Sequence, residues 1–112
     1  MIEIYHNPKC SKSRQTLAIL EANGVKYSIR LYLIEAPSQD ELRSVLVKLG
    51  CSARDMMRKG ESVYKDLNLA NVEDAQLIEA MASHPILIER PIVIKGKRAV
   101  IARPPELAQE LL

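Results

Sequence analysis

The sequence has no tryptophan, no phenylalanine and only four tyrosines among its 112 residues. Proteins that bind single-stranded nucleic acid stack bases on aromatic side chains, so this composition argues against such binding. The net charge is only +2 and the lysines and arginines form no block, which argues against nucleic acid in general. No apolar run reaches membrane-spanning length, and the chain starts with a predicted strand rather than a leader. We therefore expect a cytoplasmic protein with neither a nucleic-acid nor a membrane partner.

Cysteine is scarce as well, since Cys10 and Cys51 are the only two. Two cysteines are too few for a disulfide framework. Together with His6 and His84 they make four potential zinc ligands, but no two of them have the spacing found in zinc sites. We therefore expect no metal site. The length of 112 residues suits one domain with one hydrophobic core.

The chain begins with a pattern that predicts a strand, a loop and a helix. Residues 2–5 are rich in β-forming side chains, and Pro8 ends the strand because it lacks an N–H group. Apolar residues then recur at helical spacing from Ser11 onward, until Gly24 ends the helix. Cys10 is therefore expected where the loop meets the N-terminus of the first helix.

The predicted position of Cys10 favours a reactive thiolate. The first N–H groups of a helix have no partner within it, and the helix dipole adds positive charge there, so a cysteine at this point has a lowered pKa. Lys9, Lys12 and Arg14 act in the same direction, and the free N–H groups also suit a bound oxyanion. The alternative is a buried cysteine that acts as a small hydrophobic residue, but the flanking lysines and serines are a poor composition for a core.

The rest of the chain completes an α/β pattern. It predicts a second strand at residues 26–33, short helices over residues 38–83, a β-hairpin at residues 90–102 and a last helix after it. A βαβ unit, a helical insert and a ββα unit predict a four-stranded mixed sheet, with the first cysteine placed as in thioredoxin-like proteins. Cys51 precedes a short helix, and we expect it to be half-buried and structural.

Three arginines lie at boundaries of predicted elements. Arg58 is expected at the end of a short helix over residues 52–60, and Arg90 and Arg103 each precede a proline. Side chains at such boundaries reach a site more often than they cross a core, and in a thioredoxin-like fold Arg90 could approach Cys10. Guanidinium groups suit bidentate binding of a tetrahedral oxyanion. The alternative is that all three are ordinary solvated arginines.

His6 and Ser13 flank Cys10 in the sequence. His6 could orient the thiol or help to deprotonate it, and the alternative is a structural hydrogen bond to the following loop. Ser13 stands where a C-x-x-C pair would have its second cysteine. Its hydroxyl can donate to a thiolate but cannot resolve a disulfide, so Cys10 must be regenerated by an external thiol or by Cys51.

The chain resembles the glutaredoxin-coupled arsenate reductases in a series of sequence blocks. These blocks are His6-Asn7-Pro8-Lys9-Cys10, Ser13-Arg14-Gln15-Thr16-Leu17, Leu31-Tyr32-Leu33, Met57-Arg58-Lys59, His84-Pro85-Ile86-Leu87-Ile88-Glu89-Arg90-Pro91-Ile92-Val93 and Arg103-Pro104. The resemblance implies a thioredoxin-like fold with a helical insert. It also implies that Cys10 is a nucleophile that forms a thiol–arsenate adduct, assisted by His6 and Ser13.

The same resemblance implies an oxyanion clamp formed by Arg58, Arg90 and Arg103. Lys12 and Arg14 add positive charge to this binding site through their positions beside the cysteine. Arsenate or a similar oxyanion is the implied substrate, glutathione the co-substrate and glutaredoxin the protein partner, with no tightly bound cofactor.

Two alternative functions stay open. Ser11-Lys12 stand where family members of demonstrated arsenate activity have Gly-Thr, and in this respect the chain resembles a shorter subgroup of uncharacterised members. One alternative is a thioltransferase that reduces glutathione mixed disulfides. The other is a regulator similar to the Spx-type factors that contact RNA polymerase, although those usually have a C-x-x-C switch.

Overall fold

The structure, a computed structural model, describes all 112 residues. Its contacts divide the chain into two compact units, Met1–Glu35 with Arg90–Leu112 and Ala36–Glu89. The second unit is inserted in the chain between the two segments of the first, and it contains the helical insert predicted for about residues 38–83. The expectation of a single domain stays a prediction.

The first unit is built on a four-stranded mixed sheet. Its strands and its α-helix are β1 (Ile2–Tyr5), α1 (Ser11–Ala22), β2 (Tyr27–Arg30), β3 (Ile92–Lys95) and β4 (Arg98–Ile101). The strand order is β2-β1-β3-β4, and β1 is parallel to β2 but antiparallel to β3, which is antiparallel to β4. The predicted α/β fold is thereby confirmed. Gly96, with a φ of 59°, makes the tight turn between β3 and β4 that its lack of a Cβ permits.

One hydrophobic core holds the first unit together. Ile2 and Ile4 of β1 both face this core, and Val93 of β3 lies opposite Ile4 in the antiparallel register. Leu20 joins the core from α1, which packs against a final 3-10 helix, Pro105–Leu111. Because Leu20 is completely buried, its truncation to alanine would cost about 2–5 kcal/mol of the free energy of unfolding.

β2 ends at Arg30, three residues before the end that the sequence pattern predicts. The next residues form a turn in which the N–H of Ile34 donates to the carbonyl of Leu31 over 3.0 Å. Tyr32 is buried in this turn, and its ring stacks on that of Tyr5 with 6.3 Å between the centroids. The prediction of a longer strand is wrong because Tyr32 is anchored by packing in a turn and not by pairing with β1.

The second unit is helical and contains α2 (Gln39–Leu49), α3 (Ser62–Asp66) and α4 (Asp74–Ser83). α2 begins with the predicted capping box, in which the N–H of Glu41 donates to Ser38 Oγ over 3.1 Å and Glu41 Oε1 accepts the N–H of Ser38 over 3.0 Å. α2 packs against α4, whose apolar face is buried as predicted at Leu77, Ile78 and Met81.

The short helix predicted for residues 52–60 is wrong in its length. A 3-10 helix spans only Ala53–Met56, after which Met57 is extended and forms an isolated antiparallel bridge with Ile88. Arg58 therefore lies in an extended segment rather than at the end of a helix, and the carbonyl of Leu87 accepts its N–H. Pairing between two segments that are distant in the chain overrides the local helix signal.

Both ends of the β3–β4 hairpin carry a cis peptide bond. These bonds are Arg90–Pro91, directly before β3, and Arg103–Pro104, directly before the final 3-10 helix. Two of the arginines singled out in the sequence therefore stand at the two ends of one hairpin. None of the helices in the structure has the length and apolar character needed to cross a membrane.

Candidate active site

Cys10 occupies the N-cap position of α1, as predicted. Its carbonyl accepts the N–H of Arg14 over 3.0 Å, and its own N–H donates to the carbonyl of Asn7 over 3.0 Å. These two bonds fasten the residue between the loop and the first helical turn. The side chain is half-buried and its thiol is free, so the sulfur lies at the start of α1 with partial access to solvent.

Groups around Cys10 favour its thiolate form. Burial by itself raises the pKa of this thiol, but the backbone N–H of Ser13, the charge of Arg90 and the N–H of Lys12 outweigh that effect and lower the pKa. The guanidinium of Arg90 also donates a hydrogen bond to the sulfur. The sulfur makes no cap hydrogen bond of ordinary geometry with α1. We attribute the effect of the two amides to their dipoles, which stabilise a nearby negative charge without such geometry.

His6 and Ser13 are joined by a buried hydrogen bond of 2.6 Å between Nδ1 and Oγ. Ser13 Oγ also accepts the N–H of Asn7 over 3.0 Å. Ser13 is completely buried and His6 is only 6% exposed. The pair thus ties the residue after β1 to the first turn of α1, on either side of the Cys10 loop. The expected donation from Ser13 to the Cys10 thiolate stays a prediction.

The His6 ring is neutral at pH 7, because burial lowers its pKa and the charge of Arg14 lowers it further. Ser13 Oγ accepts the N–H of Asn7, so its own buried proton needs an acceptor. His6 Nδ1 lies within hydrogen-bond distance, and we assign it as that acceptor, which leaves the ring proton on Nε2. His6 Nδ1 is therefore bonded to Ser13 of α1, and the expected assistance of His6 to the thiol stays a prediction.

Arg103 is linked to Arg90, because Arg103 Nη1 donates to the backbone carbonyl of Arg90 over 3.2 Å. Arg90 is half-buried beside Cys10, whereas Arg103 is exposed. The first unit therefore brings Cys10 and Arg90 together and holds Arg103 next to Arg90, although the arginines are far from the cysteine in the chain. Guanidinium groups keep their charge at any physiological pH, so this arrangement is suited to an anion.

Lys12 and Arg14 lie on the first turn of α1. Arg14 Nη1 donates to the carbonyl of Pro8 over 2.9 Å, so this guanidinium braces the loop that leads to the cysteine. The side chain of Lys12 is exposed. Both residues place positive charge within about one turn of the thiol.

Arg58 belongs to the second unit and is ion-paired within it. Its Nη2 lies 2.7 Å from Glu61 Oε1, and both side chains are largely shielded from solvent. The carboxylate partly neutralises the guanidinium that the sequence assigns to the oxyanion clamp, so a role of Arg58 in anion binding stays a prediction. Sequence reasoning missed Glu61, although acidic and basic residues three apart are a recognisable signal for an ion pair.

A pocket with a volume of about 310 Å³ borders the loop that leads to Cys10. Its lining consists of residues 6–9 together with Leu31, Leu33 and Ile34. Lys9 is the only lysine, arginine or acidic residue among them. Sequence reasoning did not assign these leucines and Ile34 to a site, because residues 31–33 were included in the predicted second strand.

The remaining candidate residues form no second site. No group of three or more His, Cys, Asp or Glu side chains is arranged to hold a metal ion. Cys51 is half-buried, as expected, and its thiol is free. Burial raises its pKa, and the nearby carboxylate of Asp55 raises it further.

A four-stranded β2-β1-β3-β4 sheet, with a cysteine at the start of α1 and a proline directly before β3, defines a thioredoxin-like protein. More narrowly, this chain belongs to the ArsC family, whose sequence profile matches residues 5–111. The match spans both units, so the family assignment covers the helical insert as well as the sheet.

Individual relatives agree with this assignment. The chain is 52% identical to an arsenate reductase of Haemophilus influenzae, with 97% of each protein covered. It is 47% identical to the uncharacterized protein YfgD of Escherichia coli K12, with 99% of this chain and 96% of that protein covered. A solved arsenate reductase from Vibrio cholerae has a TM-score of 0.96 at 49% identity, over 99% of this chain and 97% of that one. The predicted arsenate reductase family and thioredoxin-like fold are thereby confirmed, whereas the coupling to glutaredoxin stays a prediction.

Proposed function

We propose that this chain reduces arsenate to arsenite through a covalent adduct on Cys10. The observation that carries the proposal is the thiol at the start of α1, whose pKa is lowered, against the effect of burial, by the amides of Ser13 and Lys12 and by Arg90. A thiolate beside a guanidinium suits nucleophilic attack on an oxyanion. The names of the Haemophilus influenzae and Vibrio cholerae relatives support arsenate as that oxyanion.

In the first step the Cys10 thiolate attacks the arsenic atom of arsenate. A sulfur–arsenic bond forms, an arsenic–oxygen bond breaks, and the released oxygen takes up protons and leaves as water. The guanidinium of Arg90 stabilises the negative charge on the remaining oxygens, because it is held beside the sulfur that attacks.

The oxyanion site within the first unit consists of Arg90 and Arg103, with Lys12 and Arg14 adding charge. Arg103 can act together with Arg90, since the two are linked through the Arg90 carbonyl. Arg58 belongs to the other unit, where it is ion-paired with Glu61, and its part in the clamp rests on the family resemblance alone.

His6 and Ser13 assist by holding Cys10 in place. Their hydrogen bond and the N–H of Asn7 fasten the loop on both sides of the cysteine. The lowered pKa of Cys10 raises its thiolate fraction at neutral pH, which reduces the need for a separate base.

Glutathione and glutaredoxin complete the reduction. Glutathione bonds to the arsenic of the adduct with loss of a second water, and a glutaredoxin thiol then attacks the glutathione sulfur. The electron pair of the arsenic–glutathione bond passes to arsenic, so As(V) becomes As(III) while two thiols become one disulfide. Water then releases arsenite and frees the Cys10 thiol. This route needs no tightly bound cofactor, and we expect it in the cytoplasm, where glutathione keeps thiols reduced.

A thioltransferase that reduces glutathione mixed disulfides is the second candidate function. It is favoured by the combination of a lowered thiol pKa at Cys10 and a serine in place of a second cysteine. A single reactive thiol of this kind exchanges with mixed disulfides without forming an internal disulfide.

The test is arsenate-dependent oxidation of NADPH in the presence of glutathione, glutaredoxin and glutathione reductase. Wild type is compared with Cys10→Ser and with the matched control Cys51→Ser. We expect turnover to be abolished in Cys10→Ser, with arsenate binding largely retained, and to be unchanged in Cys51→Ser.

Turnover that survives in Cys10→Ser would refute the proposed nucleophile. Absence of arsenate turnover in wild type, together with rapid reduction of a glutathione mixed disulfide, would favour the thioltransferase. Co-purification of RNA polymerase with a protein that shows neither activity would favour the regulatory alternative.

A further inference from the structure

The pocket beside the Cys10 loop is apolar and open at its rim. Pro8, Leu31, Leu33 and Ile34 supply most of its lining. Ile34 is 82% exposed and Leu33 is 41% exposed. Single exposed apolar residues are ordinary, but a group of them around a pocket indicates a surface that another molecule covers.

The charge around this pocket is positive on the side of the cysteine. Lys9 belongs to the lining, and residues 6–20 contain Lys9, Lys12 and Arg14 but no acidic residue. An occupant with acidic groups near its point of contact is therefore favoured, because complementary charge speeds association and sets orientation.

The aliphatic lining selects the kind of occupant. A small thiol such as glutathione is polar and charged over most of its surface and leaves such a lining poorly covered. A protein, in contrast, can insert an apolar side chain into the pocket while its acidic rim meets the lysines, as in ordinary protein interfaces.

We propose that this pocket docks an acidic thiol protein that reduces the glutathione-bearing adduct on Cys10. Pro8 lies two positions before Cys10, so a partner anchored in the pocket holds its own thiolate close to the reacting sulfur. In the arsenate reaction that thiolate attacks the glutathione sulfur of the arsenic adduct, so that a disulfide forms while the arsenic–sulfur bond breaks and its electron pair passes to arsenic. On a disulfide between Cys10 and glutathione the same attack on the glutathione sulfur forms the new disulfide, and Cys10 leaves as a thiolate. This inference rests on the proposed function, because it names the docking surface for the protein donor of the same site.

The experiment measures docking without arsenate. Cys10 is converted to its glutathione mixed disulfide in a Cys51→Ser background, and the loss of glutathione is followed by mass spectrometry after addition of reduced glutaredoxin or of dithiothreitol. Leu33→Ser and Ile34→Ser test the pocket. Val47→Ser is the matched control, because Val47 is 83% exposed, lies on α2 and does not line the pocket.

With glutaredoxin, we expect Leu33→Ser and Ile34→Ser each to lower the second-order rate constant about three- to tenfold, as loss of an apolar anchor does. With dithiothreitol, which needs no docking surface, both variants should match wild type, and Val47→Ser should match it with both reductants. Unchanged rates with glutaredoxin would overturn the proposal. Equal losses with both reductants would also overturn it, because the substitutions would then act on Cys10 itself. The assay contains no arsenate, so it still tests the docking surface if the protein fails to reduce arsenate.

Discussion

Cys10 and Cys51 both lie at the start of a helical segment, both are half-buried, and both are free thiols. Burial raises the pKa of each. At Cys10 the amides of Ser13 and Lys12 and the charge of Arg90 reverse this effect and lower the pKa. At Cys51 the only other contribution comes from the carboxylate of Asp55, which raises the pKa further. Two cysteines with similar burial therefore differ in the direction of their pKa shift.

The difference in pKa shift has two causes. Cys10 is the capping residue of its helix whereas Cys51 lies one residue before the cap, and the charged neighbour is Arg90 at Cys10 but Asp55 at Cys51. Cys10 is itself the N-cap of a twelve-residue helix, so the amides of the first turn face its sulfur. Cys51 precedes Ser52, which is the N-cap of a four-residue 3-10 helix and whose hydroxyl accepts the N–H of Asp55 over 3.4 Å. At the second site the serine takes the amide that a thiolate would need. In this chain the cysteine that is itself the capping residue is the one whose pKa is lowered.

The largest expected difference between the two cysteines is in their rates of alkylation. Iodoacetamide reacts with thiolates, and the thiolate fraction falls as pH drops below the pKa, so Cys10 should keep reacting at pH values where Cys51 has stopped. At pH 7 we expect Cys10 to react at least about tenfold faster than Cys51. Peptide mass spectrometry after timed quenching measures both rates in one sample. Equal rates, or faster labelling of Cys51, would contradict the comparison.

The hydroxyls that organise the two helix starts should also differ in their contribution to stability. Ser13→Ala removes a buried partner of both His6 and the N–H of Asn7, which should lower the free energy of unfolding by about 1–3 kcal/mol. Ser52→Ala removes only an exposed cap with a long hydrogen bond and should cost about 0.5–1 kcal/mol. Urea denaturation of both variants measures these values. No loss of stability in Ser13→Ala would show that the His6–Ser13 bond is dispensable.

Substitution of Arg90 should make the pKa of Cys10 more similar to that of Cys51. Arg90→Gln removes the charge and the charge-assisted hydrogen bond at the sulfur, so the pKa of Cys10 should rise. Alkylation at pH 7 should slow by about two- to tenfold as a result. Arg98→Gln, an exposed arginine at the start of β4, is the matched control and should leave the rate unchanged. An identical pH profile for Arg90→Gln and wild type would exclude Arg90 as a source of the lowered pKa.

Substitution of Asp55, which lies near Cys51, should cause the smallest change in alkylation rate. Asp55→Asn keeps the backbone N–H that Ser52 accepts but removes the negative charge, so the pKa of Cys51 should fall. The burial that also raises this pKa remains, so alkylation of Cys51 should accelerate by no more than about threefold. The rate is measured in a Cys10→Ser background, and slower labelling would reverse the sign assigned to Asp55.

Local features of the fold could be predicted from the sequence because their causes lie within a few residues. Cys10 at the start of α1, the capping box of Ser38 and Glu41, and the hairpin turn at Gly96 all follow from side chains adjacent to the backbone groups they satisfy. The errors occurred where distant segments meet. β2 ends earlier than predicted because Tyr32 is held in a turn by stacking on Tyr5. The short helix ends earlier than predicted because Met57 pairs with Ile88.

The candidate site shows the same division. The sequence identified Cys10, and it placed Arg90 near Cys10 only through the resemblance to a known fold. It could not predict that Ser13 would bond to His6, or that the apolar turn after β2 would form a pocket beside the Cys10 loop.

The sequence by itself determined that a cysteine surrounded by cations begins the first helix. The β-forming residues, the proline that ends the strand and the helical spacing of apolar residues all lie within one short stretch of chain. Only the tertiary structure decided the ionisation of that cysteine and of its counterpart. The pKa of a thiol depends on which amides and charges lie within a few ångströms, and Arg90 reaches Cys10 only because β3 pairs with β1. The lowered pKa of Cys10 therefore depends both on its position at the start of α1 and on the strand pairing that brings Arg90 beside it.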